Sequence, residues 1–567
     1  MLLNLRAAAE NTFDAIVVGA GMTGGLAAKE LTEKGLRVLL LERGPLVEHV
    51  KDYPTAMWKP WEVPHGGKDT PQDRVEYEIQ CKNYAFSDAT KHFYAKDTDH
   101  PYTQDQPFWW IRGYQTGGRS LLWGRHTYRW SDLDFGANAR DGHGVDWPLR
   151  YADLAPWYSY VERYVGISGQ HEGLPQLPDS EFLPPFEMNC VEKWMKGKVE
   201  SAFPDRRMSI GRVAHLTVPH RGRGLCQARS LCERGCPFGG YFSSVSATIP
   251  DAMKTGKLTL RPHSIVTEIL FDEKPQRATG VRVLDAETKQ SQEFFAKLLF
   301  LNAGTLNTTW LLMHSANDRF PNGFGNDSGV LGHYLMDHQK NVGATGLVEG
   351  FENDYYSGRR PVDCIIPRFR NRSPETDRAD YLRGFMTYGG ASRGAWQRMS
   401  AEPGFGADWK EAATQPGPWR VTLRNYGECL PYFDNQVSLN RSTLDAWGLP
   451  TLRIDASFRE NEATMRKDMG ESAAEILERV GVKDVKQYDD ENVFGFSVHE
   501  MGTARMGRDP KTSMLNARNQ LHTAKNVFIT DGTAMASSAC QNPSLTFMAL
   551  TARAADFAVR EVKRKNL

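Results

Sequence analysis

The segment 13–44, FDAIVVGAGMTGGLAAKELTEKGLRVLLLERG, constrains the fold more than any other part of the chain. Short apolar runs at 13–18 and 36–41 have the composition of buried parallel strands. Small and apolar residues at helical spacing predict a helix over 22–34, and Gly35 follows where such a helix would end. A strand, a helix and a second strand in this order predict a parallel β-α-β unit, and so an α/β fold with a doubly wound, Rossmann-type domain.

The turn of this unit has the spacing G-x-G-x-x-G, formed by Gly19, Gly21 and Gly24. In such a turn the first glycine permits the tight bend, the second lets a pyrophosphate approach the backbone, and the third lets helix and strand pack closely. Glu42 ends the second strand, where an acid can accept ribose hydroxyls and repel a 2′-phosphate. The unit therefore predicts a dinucleotide site for FAD or NAD rather than NADP, and it does not by itself separate FAD from NAD.

Later segments extend the pattern. The runs 296–304 and 526–535 are typical of buried strands that meet glycine turns, and 260–295 alternates in the manner of β-hairpins. We expect a nucleotide-binding domain built from both ends of the chain, with a second domain inserted into it. The predicted boundaries are 1–48, 110–150, 216–340 and 490–567 for the nucleotide-binding domain, 49–109 for a long excursion or lid, and 151–215 and 341–489 for a substrate-binding domain.

Composition excludes several classes of protein. The 567 residues carry 69 basic and 69 acidic side chains, so there is no basic excess to hold nucleic acid. No stretch approaches the roughly 18 apolar residues of a membrane-spanning helix. The N-terminal sequence has no features of a secretory signal, which predicts either a cytoplasmic protein or one exported to the periplasm on a partner that carries the signal.

Two C-terminal motifs separate FAD from NAD. The stretch SVHEMGTARMG (497–507), followed by NVFITDGTAMASSACQNPSLTFMALTARAADFAV (526–559), resembles the glucose–methanol–choline (GMC) family of FAD-dependent oxidoreductases. Further similar stretches occur in family order, namely GYQTGGRSLLWGR (113–125), VDWPLRYADLAPWYSYVERYVGISG (145–169), LNAGTLNTTWLLM (301–313) and LGHYLMDH (331–338). The resemblance implies a Rossmann-type FAD-binding domain with an inserted α+β substrate-binding domain.

The resemblance also implies a reaction and its residues. An alcohol carbon loses a hydride to flavin N5 while a histidine base takes the hydroxyl proton, and the matching base here is His499. Asn542 matches the polar residue opposite the base, and it can hold the substrate hydroxyl without competing for the proton. His338 also falls in a family motif, where we expect it to satisfy buried backbone groups.

The cofactor-binding residues implied by the β-α-β motif and the resemblance lie in several parts of the chain. They are Gly19, Gly21, Gly24, Glu42, Gly117, Gly118, Ser120, Val266, Ala303, Asp531, Gly532 and Asn542. Some relatives attach the flavin covalently to a histidine two residues beyond the position of Ser120. Leu122 stands there in this chain, which predicts FAD held without a covalent bond.

Three cysteines crowd into one loop as C-x5-C-x3-C-P, at Cys226, Cys232 and Cys236. The spacing alone leaves open an iron–sulfur site, zinc with His220 as a fourth ligand, a disulfide, or unrelated thiols. Some bacterial GMC dehydrogenases carry a three-cysteine cluster in a similar position. The resemblance therefore implies a [3Fe-4S] cluster, and with it a dehydrogenase that passes electrons to an external acceptor such as a cytochrome c and works with a small export or assembly subunit.

The substrate expected from this resemblance is a sugar or glycoside. RHTYRWSDLDF (125–135) and RGCPFGGYFSS (234–244) resemble bacterial glucoside 3-dehydrogenases, which oxidise the C3 hydroxyl. Glucose 1-oxidation, aldonate 2-oxidation and a sugar oxidase are the near alternatives. Two alternatives belong to other classes: a lyase that holds FAD without using it for redox chemistry, and a non-catalytic binding subunit.

Overall fold

The computed structural model describes residues 11–354, 360–394, 399 and 404–567. Residues 1–10, on which the expectation about a secretory signal partly depends, lie outside the described residues. The α-helices span Met22–Glu33, Pro71–Glu76, Asp132–Phe135, Ala137–Asp141, Tyr151–Val165, Cys190–Ala202, Thr248–Lys254, Thr305–His314, Gly406–Thr414, Glu460–Arg479 and Ser544–Lys563. Of these described helices, none is both long and apolar enough to cross a membrane.

A seven-stranded sheet contains the predicted β-α-β unit. Four of its strands pair in parallel in the order Leu258–Arg261, Val38–Leu41, Thr12–Val18 and Ser291–Leu301. Val527–Ile529 also pairs in parallel with Ser291–Leu301. On the antiparallel side, Arg277–Asp285 pairs with Ser291–Leu301, and Ser264–Asp272 pairs with Arg277–Asp285. The first strand and the helix that follows it agree with the prediction within one residue at each end, while the second strand begins two residues late. The α/β fold with a Rossmann-type domain is confirmed.

A six-stranded antiparallel sheet lies in the inserted part of the chain. Its strands, in spatial order, are Lys483–Asp489, Val342–Val348, Trp419–Gly427, Phe385–Arg393, Cys364–Ile366 and Ser209–Ile210. One face of the sheet packs against the helices Glu460–Arg479 and Cys190–Ala202 in a separate apolar core. Alternation along each strand therefore leaves the other face directed away from these helices.

Shorter strands complete the fold. Gln436–Leu444 and Pro450–Asp455 form a hairpin that Thr103–Gln104 joins in parallel, and Ile167–Ser168 pairs with Phe182–Leu183. The helix Tyr151–Val165 falls within the segment predicted for the substrate-binding domain. Its core residues nevertheless share the main apolar core with the C-terminal helix, and the Tyr158 hydroxyl contacts Thr546 Oγ1 at 2.8 Å, so this helix packs on the nucleotide-binding side.

Candidate active site

A large cavity lies beyond the carboxyl ends of the parallel strands, where α/β sheets bind their ligands. It encloses about 1830 Å³ of empty space, counting its opening to solvent. Its wall includes Gly19, Glu42, Ala303 and Asp531, each of which follows a different strand of the seven-stranded sheet. The same wall reaches His499 and Asn542, so one continuous cavity joins the ends of the parallel strands to the predicted catalytic pair.

The glycine turn forms one end of this cavity. Gly19 has a φ of +95°, and a Cβ there would lie 2.5 Å from the carbonyl oxygen of Asn302. A Cβ on Gly24 would lie 1.7 Å from the carbonyl oxygen of Gly19, whereas one on Gly21 would meet nothing within 4 Å. The first and third glycines thus serve close packing, and the second leaves open space where a pyrophosphate can approach.

The helix Met22–Glu33 starts at this open space. Its N-terminal cap is Gly21, so no side chain caps the helix, and its first turn contains no acidic residue. Unpaired N–H groups and the positive end of the helix dipole therefore face the cavity, an arrangement that binds phosphate.

Glu42 lines the cavity as predicted, but its carboxylate already has partners. Oε2 accepts a hydrogen bond from the N–H of Ala20 at 2.9 Å, and Oε1 accepts from the N–H of Gly44 at 3.1 Å. Burial raises the pKa of this carboxyl, while the two backbone donors act in the opposite direction. Glu42 therefore stabilises the turn from the wall of the cavity.

Asp531 plays a similar part at the C-terminal strand. One of its oxygens accepts from the N–H of Gly304 at 3.0 Å and from Thr308 Oγ1 at 2.6 Å, and the other accepts from the N–H of Thr533 at 3.0 Å. A Cβ on Gly532 would lie 2.3 Å from Thr305 Oγ1. The Asp-Gly turn therefore joins two strand ends at the wall of the cavity through backbone contacts.

Most of the predicted cofactor residues line this one cavity. They are Gly19, Gly21, Glu42, Gly118, Ser120, Val266, Ala303, Asp531, Gly532 and Asn542, together with Leu122. Gly24 and Gly117 are not part of the wall. Gly24 packs helix against strand, and Gly117, with a φ of +98°, shapes the turn whose carbonyl accepts from Ser120 Oγ at 2.6 Å. The open glycine, the uncapped helix and a cavity wall that continues to the catalytic pair fit FAD.

His499 stands on a loop that Asp337 holds in place. The buried Asp337 carboxylate accepts from the N–H groups of His499 at 3.1 Å and Gly495 at 2.8 Å, and it also contacts the Ser497 hydroxyl. Val498, just before the histidine, has a φ of +59°, a conformation that β-branched residues rarely adopt. Such strain persists only where surrounding contacts impose it, and it is concentrated at functional sites.

The hydrogen bonds of a second histidine determine which ring nitrogen of His499 carries no proton. His338 Nε2 lies 3.2 Å from the carbonyl oxygen of Ser538, which can only accept, so this nitrogen carries the proton. Nδ1 of neutral His338 then accepts from His499 Nδ1–H across 2.9 Å. It follows that His499 Nε2 is unprotonated, and it faces Asn542 Nδ2 at 3.2 Å. His338 satisfies a backbone carbonyl as predicted, and it also contacts the proposed base directly, which the sequence analysis did not predict.

Both imidazoles are neutral near pH 7. Burial lowers the pKa of His338 to about 4. Burial also lowers the pKa of His499 well below its usual value, and the neighbouring His338, Lys340 and Arg119 lower it further. A neutral His499 can accept a proton without first losing one.

Asn542 is held from its other side. Tyr388 Oη donates to Asn542 Oδ1 at 2.8 Å, which directs the amide nitrogen toward His499. The two residues predicted to be catalytic are therefore adjacent, and both line the cavity.

An ion pair also joins the glycine loop to the histidine loop. Arg119 Nη1 lies 3.0 Å and 2.8 Å from the two carboxylate oxygens of Glu500. Sequence reasoning missed this pair, together with Asp337 and Tyr388. Arg119, Glu500 and Asp337 lie within the stretches that carry the family resemblance, and each is one residue from a residue singled out there. Tyr388 had no such signal.

The three crowded cysteines line a separate small pocket with His215 and Tyr241. All three are half-buried and free, so a disulfide is not present. His220 contacts the carbonyl oxygen of Arg163 at 3.0 Å instead of this pocket, while His215 Nε2 lies 3.6 Å from Cys232 Sγ. Within the described ranges, no group of three His, Cys, Asp or Glu side chains could hold a metal ion, and the zinc alternative has no support.

Backbone groups donate to two of these sulfur atoms. The N–H of Ala228 lies 3.4 Å from Cys226 Sγ, and the N–H of Gly240 lies 3.3 Å from Cys236 Sγ. Such bonds to sulfur accompany iron–sulfur clusters, although they also occur with ordinary thiols. Burial raises the pKa of Cys226, and it raises that of Cys232 to about 11, so without a metal these two groups are protonated thiols. The pocket holds three thiols around one space, and among the described residues they form no site for a single metal ion.

Comparisons with known proteins agree with this architecture. Models of the GMC oxidoreductase family match residues 13–340 and 431–551. The chain is 27% identical to 2-methyl-1,2-propanediol dehydrogenase of Mycolicibacterium austroafricanum, over 96% of this chain and 95% of the relative. It is also 27% identical to the fructose dehydrogenase large subunit of Gluconobacter japonicus, over 97% and 98% respectively.

The fold is shared with a solved flavoenzyme as well. Formate oxidase of Aspergillus oryzae RIB40 superposes with a TM-score of 0.61 at 13% identity, covering 98% of this chain and 99% of that one. At this identity the likeness concerns the fold alone. The family match spans more than half of the chain, and with it the predicted resemblance is confirmed. The chain belongs to the GMC oxidoreductase family of FAD-binding enzymes that act on the CH–OH group of alcohols and sugars.

Proposed function

We propose that this protein is a dehydrogenase that oxidises a secondary hydroxyl of a sugar or glycoside, most specifically the C3 hydroxyl of a glucoside, to a ketone. The observation that carries the proposal is the chain of contacts from the Ser538 carbonyl through His338 to His499, which leaves His499 Nε2 free opposite Asn542. This arrangement presents one proton acceptor and one hydroxyl-binding amide to the same point of the cavity.

Asn542 and His499 have different roles at that point of the cavity. FAD, when bound, supplies the two-electron acceptor for the hydride of the substrate carbon. Asn542 Nδ2 donates to the substrate oxygen, and His499 Nε2 accepts the hydroxyl proton. The resulting positive charge lies next to His338 Nδ1, whose lone pair accepts from the protonated Nδ1 of His499 throughout. Backbone N–H groups at Gly19, Gly21 and the start of the following helix would hold the pyrophosphate.

The substrate assignment can be tested on the product. Purified protein, reconstituted with FAD and a dye acceptor, is given methyl glucoside, lactose, glucose or gluconate, and the new carbonyl is located by ¹³C NMR. We expect a C3 ketone. Oxidation at C1 alone would instead favour the glucose 1-dehydrogenase alternative, and a carbonyl at C2 of gluconate would favour the aldonate 2-dehydrogenase. Release of hydrogen peroxide without a dye identifies an oxidase.

A lyase is the second candidate class. It would hold FAD without reducing it. Substrate added under anaerobic conditions bleaches the flavin absorbance of a dehydrogenase and leaves that of a lyase unchanged, so a single spectrum separates the two. The non-catalytic alternative predicts no turnover in either assay.

For the electrons leaving the flavin, we propose that Cys226, Cys232 and Cys236 bind a [3Fe-4S] cluster. In such a cluster the thiolates bind different irons, so they need to surround one space rather than meet at one ion. Support comes from their position around one pocket and from the backbone N–H groups directed at two of the sulfur atoms. Iron and acid-labile sulfide in anaerobically purified protein test the assignment, and absence of both refutes it.

The position of the cysteine pocket beside the large cavity favours a route by which electrons leave the flavin toward a partner protein. Arg125 lines the large cavity and contacts Glu233 Oε1 at 3.2 Å, and Glu233 is adjacent to Cys232 in the chain. One relative is named as the large subunit of its enzyme. We propose a small companion subunit, a cytochrome c acceptor and a periplasmic location reached with that companion. Co-purification after co-expression with candidate neighbours, followed by cell fractionation, tests these points.

A further inference from the structure

The face of the six-stranded sheet that turns away from its helices carries a row of polar and aromatic side chains. On the strand Trp419–Gly427, Val421 and Leu423 pack in the core on the helix side of the sheet. Because side chains alternate along a strand, Arg424 and Tyr426 both lie on the opposite face. Tyr388 pairs directly with Arg424 across the neighbouring strand. Tyr388, Arg424 and Tyr426 therefore share the face opposite the helices.

This face borders the catalytic pair. The ring of Tyr426 lies 6.1 Å from that of His499, and Tyr388 donates to Asn542. Arg424 stands two residues before Tyr426, about 7 Å farther along the strand. That spacing is comparable to the separation between hydroxyl groups on opposite sides of a hexose ring.

Arg424 forms a charged pair at this second position. Its Nη2 contacts Asp363 Oδ2, and Asp363 is two residues before Ile365, which lies on the same face of the sheet. His126 Nε2 lies 3.7 Å from the same carboxylate, and His126 lines the cavity together with His499 and Asn542. Burial would raise the pKa of Asp363, but Arg424 and His126 lower it to about 2, so the carboxylate is charged.

The pair is partly open to solvent. Solvent reaches 44% of the Arg424 side chain and 29% of that of Asp363. Tyr84, which comes from the lid segment and lines the cavity, is 66% exposed. Arg424 interacts electrostatically with Tyr84, so the charged pair lies near the wall of the cavity.

We propose that Asp363 and Arg424, with His126, form a subsite that binds the distal hydroxyl groups of a neutral polyhydroxylated substrate while its reacting hydroxyl lies between His499 and Asn542. This inference rests on the proposed function and specifies its substrate class. A carboxylate accepts from hydroxyl groups and a guanidinium donates to them. Because the two charges cancel, the subsite attracts neither an anionic nor a cationic substrate. A monohydric alcohol offers no second hydroxyl, so the polar groups of the subsite stay without a substrate partner.

The test compares two substrates of similar ring size. The variants Asp363→Asn and Arg424→Gln are assayed with methyl glucoside and with cyclohexanol, which has one hydroxyl. The readout is the ratio of the two kcat/KM values, with the inhibition constant of cyclohexanol used where it is not turned over. We expect the preference for the glucoside to fall about 10- to 100-fold. The matched control is Arg420→Gln, on the same strand and face but farther from Tyr426, which is expected to leave the ratio unchanged.

Several outcomes overturn the inference. An unchanged ratio does so, as does an equal loss with both substrates. Unfolding of a single variant is addressed by the double variant Asp363→Asn/Arg424→Gln, which leaves no unpaired charge and is expected to show the same fall in the ratio. Failure of the proposed function gives a different result. In that case none of the alcohols tested reduces the flavin of wild-type protein loaded with FAD.

Discussion

The seven-stranded and six-stranded sheets both border the pair His499 and Asn542, and they contribute to the site in different ways. The parallel sheet supplies mostly backbone: glycine turns, a helix N-terminus and buried carboxylates that accept from N–H groups. The antiparallel sheet supplies side chains, with Tyr388, Arg424 and Tyr426 on its free face. Backbone groups can serve any dinucleotide, whereas side chains can select a substrate. Mutations on the first sheet should therefore change cofactor content, and mutations on the second should change which alcohol reacts.

The largest effect is expected at His499, which both sheets border. His499→Ala removes the proton acceptor and should lower kcat about 10³-fold, with FAD absorbance per protein unchanged. The control His333→Ala alters a histidine that stacks on Phe433, and it should retain activity. Unchanged turnover in His499→Ala would remove the catalytic role from this residue.

A change to the glycine turn should affect FAD alone. Gly21→Val introduces a side chain into open space, so we expect the apoprotein to keep its melting temperature while FAD content falls at least about tenfold. Gly24→Val makes the matched comparison, since its Cβ meets the Gly19 backbone and should destabilise the whole protein. Equal loss of stability in the two variants would contradict the separation of roles.

A smaller effect is expected from the histidine that supports the base. His338→Leu removes the acceptor for His499 Nδ1–H and should lower kcat by up to about 100-fold, because the base loses its fixed tautomer and orientation. His338→Gln places an amide oxygen in reach of that N–H and should restore part of the rate. If both variants lose the same activity, or if both lose FAD, His338 serves packing only.

The smallest effect concerns pH. The pKa of His499 is lowered by burial first and then by its neighbours, including Lys340, so kcat/KM should stay flat from about pH 6.5 upward and fall only in more acidic solution. Lys340→Met removes a positive charge, makes the imidazolium easier to form and should move the acidic limb to higher pH by less than about one unit. The exposed Lys467→Met serves as control. A shift to lower pH would show that the sign of this interaction is wrong.

The difference between the two sheets also decides what the sequence could predict. The strand Thr12–Val18, the helix Met22–Glu33 and the glycines between them follow from local periodicity and turn chemistry, which act within some thirty residues. His499 and Asn542 could be named because their motifs resemble those of a family. Their geometry could not, because it depends on Asp337 and His338, which approach from more than 150 residues away.

The antiparallel sheet had no comparable signal. Asp363 and Arg424 look like ordinary surface charges in the sequence, since their pairing depends on the register of strands that are distant along the chain. Tyr388 is buried among apolar side chains and resembles any core tyrosine until its hydroxyl is seen against Asn542. Specificity in this molecule therefore arises from tertiary register, which a short motif does not encode.

The strand Val527–Ile529 has a consequence for how the enzyme matures. It joins the seven-stranded sheet beside Ser291–Leu301, and the turn after it carries Asp531 into the same wall that Gly19 begins. During synthesis the glycine turn leaves the ribosome some five hundred residues before that wall can close. A nascent chain consequently offers the flavin only half a binding site, so cofactor loading is an event of the finished polypeptide, and a product truncated before residue 527 should accumulate colourless.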